Sequence, residues 1–166
     1  MRSTEVEFTD FCTFSCVIPA AFSATSRMIH SAETDAQIQS CFPVMQQLRP
    51  HLFDEEFVPT IRRQQAGGFR LAYVEDAGRA RGVAGYRLID NLHAGRVLYV
   101  DDLVTDAAAR SMGYGKRLLD WLAERAREDG CKSLELDSGV QRFDAHRFYL
   151  SQRMFISSHH FRLNLK

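Results

Sequence analysis

Residues 96–129 pass through three kinds of sequence in order: the apolar run RVLYVDDLVT, the loop DAAARSMGYG and the amphipathic run KRLLDWLAERARED. The first reads as a buried strand and the last as a helix with Leu118, Leu119 and Leu122 on one face. Between them Gly113 and Gly115 permit positive φ and close approach of a ligand to the main chain. The N–H groups of the following helix's first turn have no intrahelical partner and lie at the positive end of its dipole. A strand, turn and helix of this kind predict a site for phosphate or pyrophosphate.

Two common phosphate loops do not fit. The P-loop requires Ser or Thr after its Gly-Lys, whereas Gly115-Lys116 is followed by Arg117, so no hydroxyl is placed to hold magnesium. The dinucleotide fingerprint needs three glycines opening a first βαβ unit, whereas this loop has Gly113 and Gly115 only and lies two-thirds of the way along the chain.

The rest of the chain reads in order around this unit. Residues 27–31 form a short strand, and Thr34 or Asp35 caps a helix through Phe42, with Pro43 and Pro50 as punctuation. A second helix covers Asp54–Gln65, with Phe57, Val58 and Ile61 on one face, and Gly67-Gly68 ends it. Strands over 69–75 and 83–89 flank the turn DAGRARG, and a third runs through Val97–Thr105, making an antiparallel meander. After the helix from Gly113 come a strand over 133–137, a helix over 143–153, and strands within 155–165. Strands followed by alternation predict an α+β (mixed α/β) domain with a mostly antiparallel mixed sheet flanked by helices. That domain spans residues 27–166, and residues 1–26, rich in Ser, Thr, Phe and Cys, read as an N-terminal extension.

Composition narrows the function. Lys and Arg balance Asp and Glu at 21 each, and no basic block stands out, so no nucleic-acid partner is expected. No apolar run approaches the ~20 residues that span a bilayer, and no membrane association is expected. Glu5, Glu7 and Asp10 sit where a secretory signal carries positive charge. Cys12, Cys16, Cys41 and Cys131 show no paired metal-ligand spacing, and reduced thiols fit a cytoplasmic chain. His159 and His160 also fail as a metal pair, so no metal is expected.

Asp101 and Asp102 interrupt an otherwise apolar strand, and strict alternation points them to opposite faces. A carboxylate inside a buried strand is costly unless it is paired, hydrogen-bonded or open to a cleft, which makes these two the first candidates for chemistry. His93 and His146 are further candidates, and His146 shares a helix face with Tyr149.

The strand, the loop Arg110-Ser111-Met112-Gly113-Tyr114-Gly115 and the downstream AHRFYLSQRMF together resemble the GNAT superfamily of N-acetyltransferases. The resemblance implies acetyl-CoA as cosubstrate, with the backbone of Leu103, Val104 and Thr105 along the pantetheine arm. Arg110, Ser111, Met112, Gly113, Tyr114, Gly115 and Lys116 would then surround the pyrophosphate. It makes Tyr149 the acid for the departing thiolate, with His146 ordering CoA or the acid. Asp101, nine residues before Arg110, would be the base, with Asp102 as the alternative. It places the two early helices on the acceptor side, so that Leu52, Phe53 and Phe57 either line the substrate approach or belong to the core. The acceptor would be a small-molecule or peptide amine, attacking directly because Cys131 is poorly placed as a nucleophile. A homodimer through the terminal strands is an assembly the resemblance allows. Transfer of a longer acyl group and a non-catalytic acyl-CoA-sensing or interaction module are the other readings. Arg153 and Met154 stand where the family usually has Gly and Phe, and Arg142 where it often has Asn.

Overall fold

The computed structural model describes residues 28–165. The extension over residues 1–26, with Cys12 and Cys16, lies outside the described residues. Elements follow in the order β1 (Ile29–Ser31), α1 (Asp35–Leu48), α2 (Asp54–Ala66), β2 (Arg70–Asp76), β3 (Arg79–Asn91) and β4 (Gly95–Thr105). A single 3-10 turn (Ala107–Ala109), α3 (Tyr114–Glu128), β5 (Ser133–Leu136) and α4 (Phe143–Ser151) complete the chain.

The five strands lie side by side in sequence order, antiparallel from β1 to β4 and parallel between β4 and β5. A parallel neighbour needs a crossover, and α3 supplies it. Leu71 to Val74 on β2 are all buried because both faces of the sheet are covered. Phe69, Leu71, Tyr73 and Val83 pack with Ile38, Met45, Phe57 and Ile61 of the α1–α2 layer. Val74, Ala84, Tyr86, Leu98 and Val100 pack on the other face with Leu118 and Leu122 of α3. Phe57 is therefore core, whereas Phe53 is exposed and caps α2.

Thr34 begins α1 with a capping box: its hydroxyl accepts from the Gln37 N–H at 3.3 Å while the Gln37 amide oxygen accepts from the Thr34 N–H at 2.9 Å. The helix continues six residues past Phe42, through Pro43, to Leu48. Pro43 removes one N–H donor, but buried Phe42, Val44 and Met45 hold the helix across the gap. Packing here outweighs a breaker that local sequence takes as a stop.

The strands expected within 155–165 do not form. Phe161, Leu163 and Leu165 alternate as a strand would, yet they stay exposed. A strand needs a ladder for its backbone groups, and this segment has none among the described residues. His159 and His160 accordingly lie outside any strand.

Candidate active site

Two pairing patterns diverge along β4. Its ladder with β5 runs from Val97–Ser133 to Val100–Leu136 and stops, whereas its ladder with β3 continues to the Thr105–Gly82 pair. From Asp101 to Thr105 the β5 side of the strand therefore has no neighbouring strand among the described residues. An unpaired edge of this kind can accept an extended ligand as one more strand.

A β-bulge sits where the ladders part. Gly85 pairs with Asp102 and the next residue, Tyr86, pairs with Val100, which leaves Asp101 as the extra residue. A bulge breaks strict alternation. Both carboxylates therefore reach arginines on the α1–α2 side, which corrects the expectation that they face oppositely. Arg87 on β3 donates from Nε to the Asp101 Oδ2 at 2.7 Å, and its guanidinium lies 5.4 Å over the Phe69 ring. Arg49, just past α1, donates from Nε to the Asp102 Oδ1 at 2.7 Å and from Nη2 to the Asp101 carbonyl at 3.2 Å. Burial pushes the Asp101 carboxyl above its ordinary range; Arg87 and Arg49 oppose that, and the neighbouring Asp102 charge reinforces it.

Tyr99, two residues earlier on β4, donates from its hydroxyl to the Asp137 Oδ2 at 2.7 Å, and burial followed by this carboxylate raises its pKa. Asp137 also meets His160 Nδ1 at 2.9 Å, fastening the C-terminal segment near the end of β5. His93 lies in the β3–β4 turn, six residues of strand or about 20 Å from Asp101. That distance removes it as an alternative base.

Past Thr105 the chain is anchored before it becomes a loop. Asp106 accepts from the Ala108 N–H at 3.1 Å and from Arg81 at 3.0 Å, while the Gln47 side chain of α1 accepts from the Ala107 N–H at 2.8 Å. The Ala108 N–H, the Gln47 amide and Arg81 hold the Asp106 carboxyl below its ordinary range. Ser111 and Gly113 then adopt positive φ of 64° and 85°, with Gly113 as the N-cap of α3. The first helical bond runs from the Arg117 N–H to the Gly113 carbonyl at 3.1 Å, so the Gly115 and Lys116 N–H groups precede the intrahelical ladder. Arg110 and Met112 are exposed, and Lys116 is paired with Asp120 at 2.7 Å. The Tyr114 side chain instead turns into the core and bonds the Asp76 carboxylate, so only its main chain faces the loop.

Gly115 joins the parts. A Cβ there would stand 3.2 Å from the Thr105 hydroxyl and 3.7 Å from the Phe148 ring. The end of β4, the start of α3 and α4 thus converge at one point, and Leu103, Val104 and Thr105 lead into it. On α4, His146 and Tyr149 are half-buried on one face, and the Tyr149 ring lies 5.4 Å from that of Phe148. Burial raises the Tyr149 phenol, with Arg142 pulling the other way, so it stays protonated at neutral pH. Its hydroxyl has no hydrogen-bond partner among the described residues.

Sequence reasoning missed Arg49, Arg87, Tyr99 and Asp106. The signal for the arginines was present in principle: two carboxylates in a buried strand require cations, and Arg87 is a cation inside an otherwise apolar strand. Cys41 is buried with its thiol pushed up to about 12, and burial also raises Cys131, so neither carries thiolate character. Among the described residues no group of three or more His, Cys, Asp or Glu side chains could hold a metal, and no helix is long and apolar enough to cross a membrane.

The model of the acetyltransferase (GNAT) family matches residues 33–154. An uncharacterized N-acetyltransferase of Bacillus subtilis (strain 168), YhdJ, is 35% identical over 139 residues, covering 81% of this chain and 98% of the relative. An aminoalkylphosphonate N-acetyltransferase of Salmonella typhimurium is 39% identical over 60 residues, 36% of this chain and 39% of that protein. The fold is shared with a solved structure from Bacillus halodurans C-125, described as a transcriptional regulator. That match has a TM-score of 0.74 at 21% identity, covering 83% of this chain and 99% of the other.

Proposed function

The chain belongs to the acetyltransferase (GNAT) family and is an N-acetyltransferase, and from that premise we propose how its residues divide the work. The observation that carries the proposal is the open β4 edge running into the start of α3, with Asp101 at the bulge beside it.

Acetyl-CoA, when bound, supplies an activated thioester. Leu103, Val104 and Thr105 would lie along its pantetheine arm as beside an added strand, bonding it through the main-chain groups of Leu103 and Thr105 that turn away from β3, and the Gly115 and Lys116 N–H groups would take the pyrophosphate at the positive helix end. Arg110 and Lys116 add positive charge around it. Asp101 takes a proton from the acceptor amine, directly or through a water, and its raised pKa brings it nearer the range in which a carboxylate serves as a base at neutral pH. Asp102, held by Arg49, positions that end of the strand. Tyr149 gives a hydrogen bond or proton to the departing thiolate, and His146 orders the same helix face. The amine nitrogen bonds to the acetyl carbon as the carbon–sulfur bond breaks. An ammonium acceptor and the thioester yield the amide, the thiol and one released proton.

The acceptor is a small primary amine, in keeping with the relative that acts on aminoalkylphosphonate. Residues 27–166 form the catalytic unit, and the free thiols Cys41 and Cys131 suit a cytoplasmic setting.

Calorimetric titration with acetyl-CoA, CoA and ATP, followed by thiol release against an amine panel, tests this reading. Both CoA species should bind and ATP should not. Tyr149→Phe should lower kcat by about 10²-fold or more while acetyl-CoA affinity stays near wild type. Equal turnover would remove Tyr149 as the acid, and CoA binding without turnover on any amine would make the protein an acyl-CoA sensor.

A further inference from the structure

Four charges drawn from three separate parts of the chain meet on one face: Arg49 after α1, Arg87 on β3, and Asp101 with Asp102 on β4. Resting on the reading of Asp101 as the base, we infer that the acceptor amine also carries an anionic group, a phosphonate, phosphate or carboxylate a short carbon spacer away, held by Arg49 and Arg87.

The asymmetry of the two ion pairs points outward. Their carboxylates are withdrawn, with side chains 14% exposed for Asp102 and 26% for Asp101, while Arg49 and Arg87 remain 42% and 34% exposed. Arg81–Asp106 and Arg70–Asp129 also withdraw the carboxylate, at 17% and 28% exposed, whereas Asp35 and Asp90, paired with Arg62 and Arg96, are 72% and 66% exposed. What sets the inner pairs apart is that their two carboxylates are consecutive residues of β4. Each inner arginine meets its carboxylate through Nε. Nη2 of Arg49 reaches the Asp101 carbonyl, and that of Arg87 reaches the Gln64 amide oxygen at 3.5 Å. Nη1 of both has no partner among the described residues. A guanidinium carries five donors in a fixed fork, so each keeps donors for an oxyanion.

Charge balance selects the acceptor. The two arginines and two aspartates sum to zero, so Asp101 does not stand in a negative field that would draw in a polycation. A second ammonium on the acceptor would meet the guanidiniums. An oxyanion there leaves the amine end beside Asp101 and adds charge-assisted bonds at the other end. During transfer the anionic group undergoes no bond change and remains on the arginines.

The test compares acceptors of similar length on the full chain with saturating acetyl-CoA: 2-aminoethylphosphonate, β-alanine, propylamine and 1,3-diaminopropane. The kcat/KM for at least one anionic acceptor should exceed that for propylamine by about tenfold or more, with diaminopropane the poorest. The phosphonate and carboxylate arms identify the anion. Arg49→Gln and Arg87→Gln will slow every acceptor because each arginine also holds an aspartate, so the readout is the ratio of anionic to neutral kcat/KM. That ratio should fall about tenfold in the Gln variants and be partly kept in Arg49→Lys, which a purely positioning role would not produce. Should the variants fail to fold, competitive inhibition of wild-type propylamine acetylation by ethylphosphonate supplies the same answer. Equal kcat/KM across the panel, or an unchanged ratio in both Gln variants, overturns the inference while the transferase reading stands. Bound acetyl-CoA with no turnover of any acceptor overturns both.

Discussion

In the site proposed above, the cofactor half is built from main chain and the acceptor half from side chains. Residues 103–116 form one continuous segment whose useful groups are N–H and C=O, presented by an unpaired strand edge, two positive-φ residues and a helix start. The acceptor half gathers Arg49, Arg87, Asp101 and Asp102 through a strand register and a helix end. Main-chain sites depend on backbone conformation and tolerate changes of side chain. Side-chain sites depend on the identity and charge of each member.

Asp101→Asn tests the acceptor half most severely. It should lower kcat by about 10²–10⁴ with acetyl-CoA affinity intact, measured by thiol release and calorimetry. Because the base acts ionised and burial raises its pKa, wild-type activity should fall as pH drops through a value above the ordinary carboxylate range. The Asn variant should lose that limb of the pH profile. A wild-type rate in Asp101→Asn would transfer the base role to Asp102.

In the cofactor half, Gly115→Val should weaken CoA binding by about 10- to 100-fold, the range expected for losing a hydrogen bond to a charged group. Its side chain would press on Thr105 and Phe148 and displace the helix start. Lys116→Gln should cost only about 0.5 kcal/mol of binding, since its ammonium is exposed and already paired with Asp120. If the lysine change proved the costlier of the two, the loop would be read through its side chains and the contrast between the halves would fail.

The smallest expected effect concerns the end of α4. Arg153 holds a φ of 65°, the Arg153 N–H bonds the Leu150 carbonyl, and the Met154 N–H bonds the Tyr149 carbonyl, which is a Schellman turn without its glycine. Arg153→Gly should raise stability by about 0.5–1 kcal/mol in denaturant titration, less than the full left-handed penalty because glycine also loosens the unfolded chain. A loss of stability would mean that Arg153 makes a contact worth more than its strain.

The strand, glycine turn and helix of the proposed cofactor half were legible because they are local. Gly113, Gly115 and the leucine face of α3 lie within a few residues of one another, and their spacing carries both the turn and the helix. The antiparallel meander of β2, β3 and β4 followed from hairpin-length connections, while the places of β1 and β5 at the two edges came only with the fold. The C-terminal strands and the end of α1 were misjudged because pattern alone cannot say whether a ladder partner exists for Phe161–Leu165, or whether buried neighbours carry a helix through Pro43.

From sequence alone came the glycine turn before α3, the family resemblance, the α+β class with its antiparallel meander, and the choice of Asp101, Asp102 and Tyr149 as candidates. Those depend on periodicity and near-neighbour chemistry, which a linear string preserves. The bulge at Asp101, the shared face of the two carboxylates, their pairing with Arg49 and Arg87, and the point where Gly115 meets Thr105 and Phe148 arise only on folding. Register, and the choice of partner for a buried charge, depend on how distant segments pack together, and no local spacing records that.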